Sequence, residues 1–96
     1  AWGNAKFVGP QADVYALGVI LYQALTGHRP FDGESVRDLL TRVVTTDPVP
    51  ARRLAPAVPR DLDLICSKCL AKQPHERYPT ARELADDLER FARGES

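Results

Sequence analysis

Cysteine is scarce in this sequence: Cys66 and Cys69 are the only two among 96 residues. That is too few for the disulfide framework of a small secreted domain. No further ligands at metal-site spacing accompany them, so no zinc-built fold is encoded either. Net charge is also lacking, because 13 Lys and Arg balance 13 Asp and Glu. The chain therefore has no electrostatic footprint for nucleic acid or for an anionic membrane surface, and Arg52-Arg53 is too short a basic run to make one. No charged-then-apolar leader opens it, which points to a cytoplasmic protein. No apolar run reaches the ~20 residues of a membrane span, so no direct membrane contact is expected. Strand-like alternation between hairpin turns is missing, as is any internal repeat. The common chemical signatures are missing too: no Gly-x-Gly-x-x-Gly or Gly-x-x-x-x-Gly-Lys-Ser/Thr phosphate loop, no His-Glu-x-x-His, no Gly-x-Ser-x-Gly. His28 and His75 sit in turns with no nucleophile beside them.

What remains is helix. The apolar fraction of 44% is that of an ordinary globular protein. The stretch from Asp13 to Gly27 is apolar at nearly every position, as in a helix buried on all sides. Asp13 is placed to act as its N-cap, Gly27 as the left-handed residue that ends it, and Pro30 as a bar to its continuing. This predicts a central helix over residues 13–26, roughly 20 Å long at about 1.5 Å per residue. Residues 1–12, with Gly3, Gly9 and Pro10, have no steady period and read as loop. Trp2, Phe7 and Val8 are the large apolar groups in that segment.

Ser35, with Asp38 three residues on, resembles a capping box. The periodic Val36, Leu39, Leu40, Val43 and Val44 predict a helix over 35–44. Pro48, Pro50, Pro56 and Pro59 make residues 45–60 an extended connection, which Val49, Leu54 and Val58 are expected to pin down. A third helix over 60–71 places Leu62, Ile65, Cys66 and Cys69 on one face, so both cysteines are expected to be small buried hydrophobes. After the break Gln73–Pro79, Thr80 and Glu83 form a capping box for a helix over 80–92 with Leu84, Leu88 and Phe91 inward. The fold class is all-α, with about four helices around the central one.

The order of these pieces resembles the serine/threonine protein kinases. Asp13-Val14-Tyr15-Ala16-Leu17-Gly18-Val19-Ile20-Leu21-Tyr22 followed by Leu25-Thr26-Gly27-His28-Arg29-Pro30-Phe31 looks like the central helix of the C-lobe and its following turn. Residues 68–91 look like the last two helices and the Pro-x-x-Arg link between them. The segment 61–70 and the closing 90–95 resemble large bacterial signalling kinases, which are often continued by a membrane span and repeat domains. The resemblance implies the lower half of a kinase C-lobe, spanning all 96 residues. The glycine-rich loop, the phosphate-holding lysine, the catalytic aspartate, the metal-binding Asp-Phe-Gly and the Ala-Pro-Glu would all lie upstream. ATP and Mg would then belong to the parent kinase, and this piece alone would be inactive with no cofactor of its own.

Two residues take roles from that resemblance. Asp13 matches the aspartate that accepts backbone amides of the catalytic loop. Arg77 matches the arginine that pairs with the glutamate of Ala-Pro-Glu. Breaking a buried pair by removing one side costs ~3–5 kcal/mol. The chain is therefore expected to be marginally folded unless Arg77 turns to water or to an acid such as Glu76. Gln73 departs from the Asp usual before the proline, and Tyr15 replaces the commoner Trp. The expected partners are the remainder of the kinase domain, and protein substrates or regulators that dock on Val36, Leu39, Leu40 and Val43. The alternative is a stand-alone, non-enzymatic helical module derived from a truncated kinase lobe.

Overall fold

A computed structural model of the chain describes residues 9–94, so Trp2, Phe7 and Val8 lie outside the described residues. Within these there are five α-helices and one 3-10 turn: α1 (Pro10–Thr26), α2 (Val36–Thr45), α3 (Ala51–Leu54), α4 (Arg60–Cys69), the 3-10 turn Pro74–Glu76, and α5 (Ala81–Ala92). No described residue is in a strand. The all-helical class holds.

α1 begins at Pro10, inside the segment expected to be loop, and its N-cap is Gly9 rather than Asp13. The reason is local. Pro10 at the first helical position presets φ and gives up an N–H that would have had no partner. Gly9 holds φ 106° and ψ −179°, a region essentially confined to glycine. Asp13 instead lies in the first turn, where the helix dipole favours a carboxylate. The other end is as expected: Gly27 has φ 75° and donates its N–H to Gln23 O at 2.8 Å.

The central helix is not buried all round. It buries Val14, Gly18 and Tyr22, an i, i+4, i+8 stripe. On the other side Asp13, Leu17, Ile20 and Ala24 share an open face, with Ile20 60% exposed. Against the buried stripe pack α3, α4, α5 and the 3-10 turn. The closest approach is at Gly18, where an added Cβ would stand 2.5 Å from Cys69 Cβ, so only glycine lets the C-terminal end of α4 cross there. Cys66 Sγ donates to Gly18 O at 3.7 Å. Both cysteines are buried and unbridged, as small hydrophobes would be. Burial pushes the Cys66 thiol up to about 12 and that of Cys69 up to about 11, so neither offers a thiolate at neutral pH.

The core has two lobes that meet at Leu21. One holds Val14, Ile65, Cys69, Tyr78 and Leu84, flanked by Leu88 and Phe91. The other holds Tyr22, Ala51, Cys66 and Leu70, flanked by Tyr15, Val19 and Leu25. α4 ends at Cys69 rather than at 71, because the Leu70 N–H is shared between Cys66 O and Ser67 O. α2 and α5 follow their expected bounds within a residue, capped by Ser35 and Thr80.

The proline-rich connection 45–60 is not uniformly extended, since α3 forms one helical turn behind Pro50. Nor do Val49 and Leu54 anchor it; both are exposed. Its anchors are Ala51 and Val58, which are buried, and hydrogen bonds from distant residues. The Tyr22 hydroxyl donates to Val49 O at 2.6 Å, and Asp63 Oδ1 accepts the Ala51 N–H at 3.1 Å. Arg52 Nε donates to Val58 O at 3.1 Å. Four prolines leave a loop poor in amides but rich in carbonyls that need donors.

Candidate functional site

The site is built around the N-terminal turn of α1, where the loop that leaves α4 delivers one charge into the interior. Arg77 is the only charged side chain in the buried set of described residues, 8% exposed. The 3-10 turn places it: the Glu76 N–H donates to Gln73 O at 3.0 Å and the Arg77 N–H to Pro74 O at 3.1 Å. The Gln73 side chain makes no capping bond there. Arg77 turns neither to Glu76 nor to water. Its Nε donates to Ala71 O at 2.8 Å, Nη1 to Gln11 O at 3.1 Å and Nη2 to Lys72 O at 3.4 Å. The guanidinium carbon lies 4.8 Å from the Tyr15 ring centroid. Three carbonyl dipoles and an aromatic face thus replace a carboxylate in compensating the buried cation. Burial draws Arg77 below its ordinary pKa, partly opposed by Tyr15, and it remains protonated at neutral pH.

A guanidinium carries five N–H donors, and the three bonds above leave two without a partner among the described residues. The hydroxyl of Tyr15, whose ring faces the guanidinium, is buried and also has no hydrogen-bond partner among the described residues. Burial raises its pKa while Arg77 pulls the other way. The expected site residue Asp13 is on the same turn, two residues after Gln11, but on the open face of α1 and exposed. Arg77 and Asp13 therefore share one end of the central helix and face different directions. Sequence reasoning singled out both but missed Tyr15 and the carbonyls of Gln11, Ala71 and Lys72. Backbone acceptors carry no residue-type signal, and the Arg77–Gln11 bond joins positions 66 apart.

The four expected docking residues do not form one open patch. Val36 is 74% exposed and Leu40 is exposed, whereas Leu39 and Val43 are half-buried. Val44 completes the open stripe.

A second cluster joins α4 and α5. The Tyr78 hydroxyl donates to Asp87 Oδ2 at 2.5 Å, and Arg90 Nη2 meets Asp87 Oδ1 at 2.6 Å. Lys68 Nζ lies 4.3 Å from the Tyr78 ring centroid. These side chains line a shallow open groove floored by Ile65 and Phe91. The chain of contacts Lys68–Tyr78–Asp87–Arg90 runs from α4 to α5, which fits a brace between the two helices.

Comparison with known proteins gives these features a context. The sequence model of the protein kinase domain matches residues 3–88. The chain belongs to the protein kinase family. It is 44% identical over 88 residues to the tyrosine-protein kinase MasK of Myxococcus xanthus, covering 92% of this chain and 14% of that protein. It is 38% identical over 103 residues to the serine/threonine-protein kinase PknB of Mycobacterium tuberculosis, covering 97% of this chain and 16% of that protein. With the serine/threonine-protein kinase PrkC of Bacillus subtilis it shares 38% identity over 78 residues, covering 81% of this chain and 12% of that protein. The chain thus spans less than a fifth of the length of each of these relatives. No helix of the described residues is long and apolar enough to cross a membrane.

Proposed function

We propose that these residues are the C-lobe portion of an ATP-dependent serine/threonine protein kinase, and that their part in phosphoryl transfer is mechanical. They brace the catalytic loop and the activation segment, and they present α2 to protein substrates or regulators. The observation that carries this reading is Arg77. A buried, preorganised guanidinium with two donors left over is a receptor for a bidentate carboxylate, and the glutamate that closes the activation segment is such a group. Asp13, exposed at the head of an open apolar face, accepts backbone amides of the catalytic loop. Leu17 and Ile20 on that face are covered by the upstream part of the same lobe.

The serine/threonine assignment rests on PknB and PrkC, whose names carry it, whereas that of MasK specifies tyrosine. Phosphoamino-acid analysis of a phosphorylated substrate decides between them. The described residues contain no group of three or more His, Cys, Asp or Glu fit for a metal, and the sequence has no phosphate loop. On this reading nucleotide and metal are held by residues upstream of these in the kinase domain.

In the full-length protein, Asp13→Ala lowers kcat roughly 10- to 100-fold, because a misplaced catalytic loop costs that much. Its circular dichroism stays near that of the unmodified protein, since Asp13 is no part of the buried stripe of α1. Undiminished turnover removes Asp13 from the mechanism. Arg77→Lys keeps the charge but not the fork, and it lowers activity while the positive charge is retained.

A further inference from the structure

Helix α2 is held to the rest of the molecule by few contacts. None of its side chains is fully buried. Its N-terminus is fixed locally, by the Ser35 hydroxyl accepting the Asp38 N–H at 3.1 Å. Gly33 also runs so close that an added Cβ would lie 2.5 Å from Leu39 N. At the C-terminal end a single distant side chain reaches in: Lys72 donates Nζ to Val43 O at 2.6 Å, across 29 positions of sequence. Val43 O is one of the last four helix carbonyls, which have no partner within the helix, and a cation there also meets the negative end of the helix dipole. The same ammonium lies 4.3 Å from the ring centroid of Phe31, on the segment leading into α2. One side chain therefore grips both the entry to α2 and its exit. The charges that act on it are Asp47, which favours the cation, and Arg77, which opposes it. The backbone of the same residue is part of the Arg77 nest, through Lys72 O.

We propose that Lys72 is the positioning residue of α2: its ammonium tethers the docking helix to the loop that carries Arg77, so that the docking surface and the anchor of the activation segment are set by one residue. This rests on the reading of α2 as a docking element, but the tether itself can be measured whether or not anything docks.

The test is hydrogen–deuterium exchange on the full-length protein. Lys72→Met keeps the apolar stem and removes the donor and the charge. Amides of residues 39–46 are expected to exchange about tenfold faster, the scale of a charge-assisted hydrogen bond, with residues 14–22 unchanged. Lys72→Arg retains a cationic donor and is expected to stay near the unmodified protein. Phe31→Leu, which removes only the ring, loosens the same amides by a few-fold. Unchanged exchange of α2 in Lys72→Met overturns the proposal. Faster exchange of equal size in α1 also overturns it, as does a Lys72→Arg protein as loose as Lys72→Met.

Discussion

Helices α2 and α5 begin in the same way and end in opposite circumstances. Each opens on an extended hydroxyl residue that accepts an N–H from three positions on, Ser35 from Asp38 at 3.1 Å and Thr80 from Glu83 at 3.3 Å. Each carries an acid–arginine pair along its surface, Asp38–Arg42 at 3.3 Å and Asp87–Arg90 at 2.6 Å. Both have apolar residues at helical spacing. Yet α5 buries Leu84 in the core and packs Leu88 and Phe91 beside it, whereas α2 turns Val36, Leu40 and Val44 to solvent. Caps and surface pairs mark where a helix starts and how it runs; its neighbours decide how much of its apolar stripe is buried and how firmly it is held. An open stripe of this kind is what the proposed docking role of α2 requires.

The largest contrast is expected from equal truncations. Leu84, 4% exposed, sits among Val14, Ile65, Cys69 and Tyr78, and Leu84→Ala should cost about 2–5 kcal/mol. Leu40, 59% exposed, leaves no cavity behind, and Leu40→Ala should stay within about 0.5 kcal/mol. Urea midpoints of the two proteins give the comparison directly. If Leu40→Ala unfolds as early as Leu84→Ala, α2 is core and its stripe is no docking surface.

That contrast also marks what could be read from the sequence. The stripe Leu84, Leu88 and Phe91, the cysteine face of α4 and the caps at Ser35 and Thr80 are local codes, and each is legible within four residues of chain. The start of α1 was legible in principle, because Gly9-Pro10 is at once a turn signal and a glycine cap followed by a first-turn proline. Asp13 ahead of an apolar run was the louder signal. The open face of α1 was not legible: Leu17 and Ile20 are as apolar as Val14, and residue type does not say which neighbour is present. Of the site, Asp13 and Arg77 stand out through family motifs. The nest around Arg77 depends on backbone carbonyls brought together over long separations, as does the anchoring of residues 45–60 by Tyr22 and Asp63.

A smaller effect separates the two caps. Replacing a hydroxyl N-cap by alanine typically costs about 1 kcal/mol, and the loss is shared with the whole fold only if the helix is packed into it. Thr80→Ala should therefore lower the global stability by that amount and the unfolding midpoint with it. Ser35→Ala should leave the midpoint almost unmoved and instead hasten amide exchange in residues 36–45. Equal midpoint shifts for the two variants would mean that α2 and α5 unfold as one unit.

The smallest effect is a matter of pH. The Glu34 N–H, which donates to Asp38 Oδ2 at 3.1 Å, holds the Asp38 carboxyl below the usual 3.8, with Arg42 adding to it. Asp87 is lowered first by the Tyr78 hydroxyl and then by Arg90. A depressed carboxylate contributes stability that is whole above its unfolded pKa and lost as the pH falls through the folded one. Neither residue therefore changes stability between neutrality and pH 5, and both release their partners below 3.8. The readouts should differ. Protonating Asp87 weakens its hold on the hydroxyl of Tyr78, a core residue, so acid moves the global midpoint, and Asp87→Asn flattens that dependence. Protonating Asp38 frees only Glu34 and Arg42 at the exposed start of α2, so acid hastens local exchange there, and Asp38→Asn removes that change while the global acid slope persists. A global slope abolished by Asp38→Asn would place α2 inside the cooperative core.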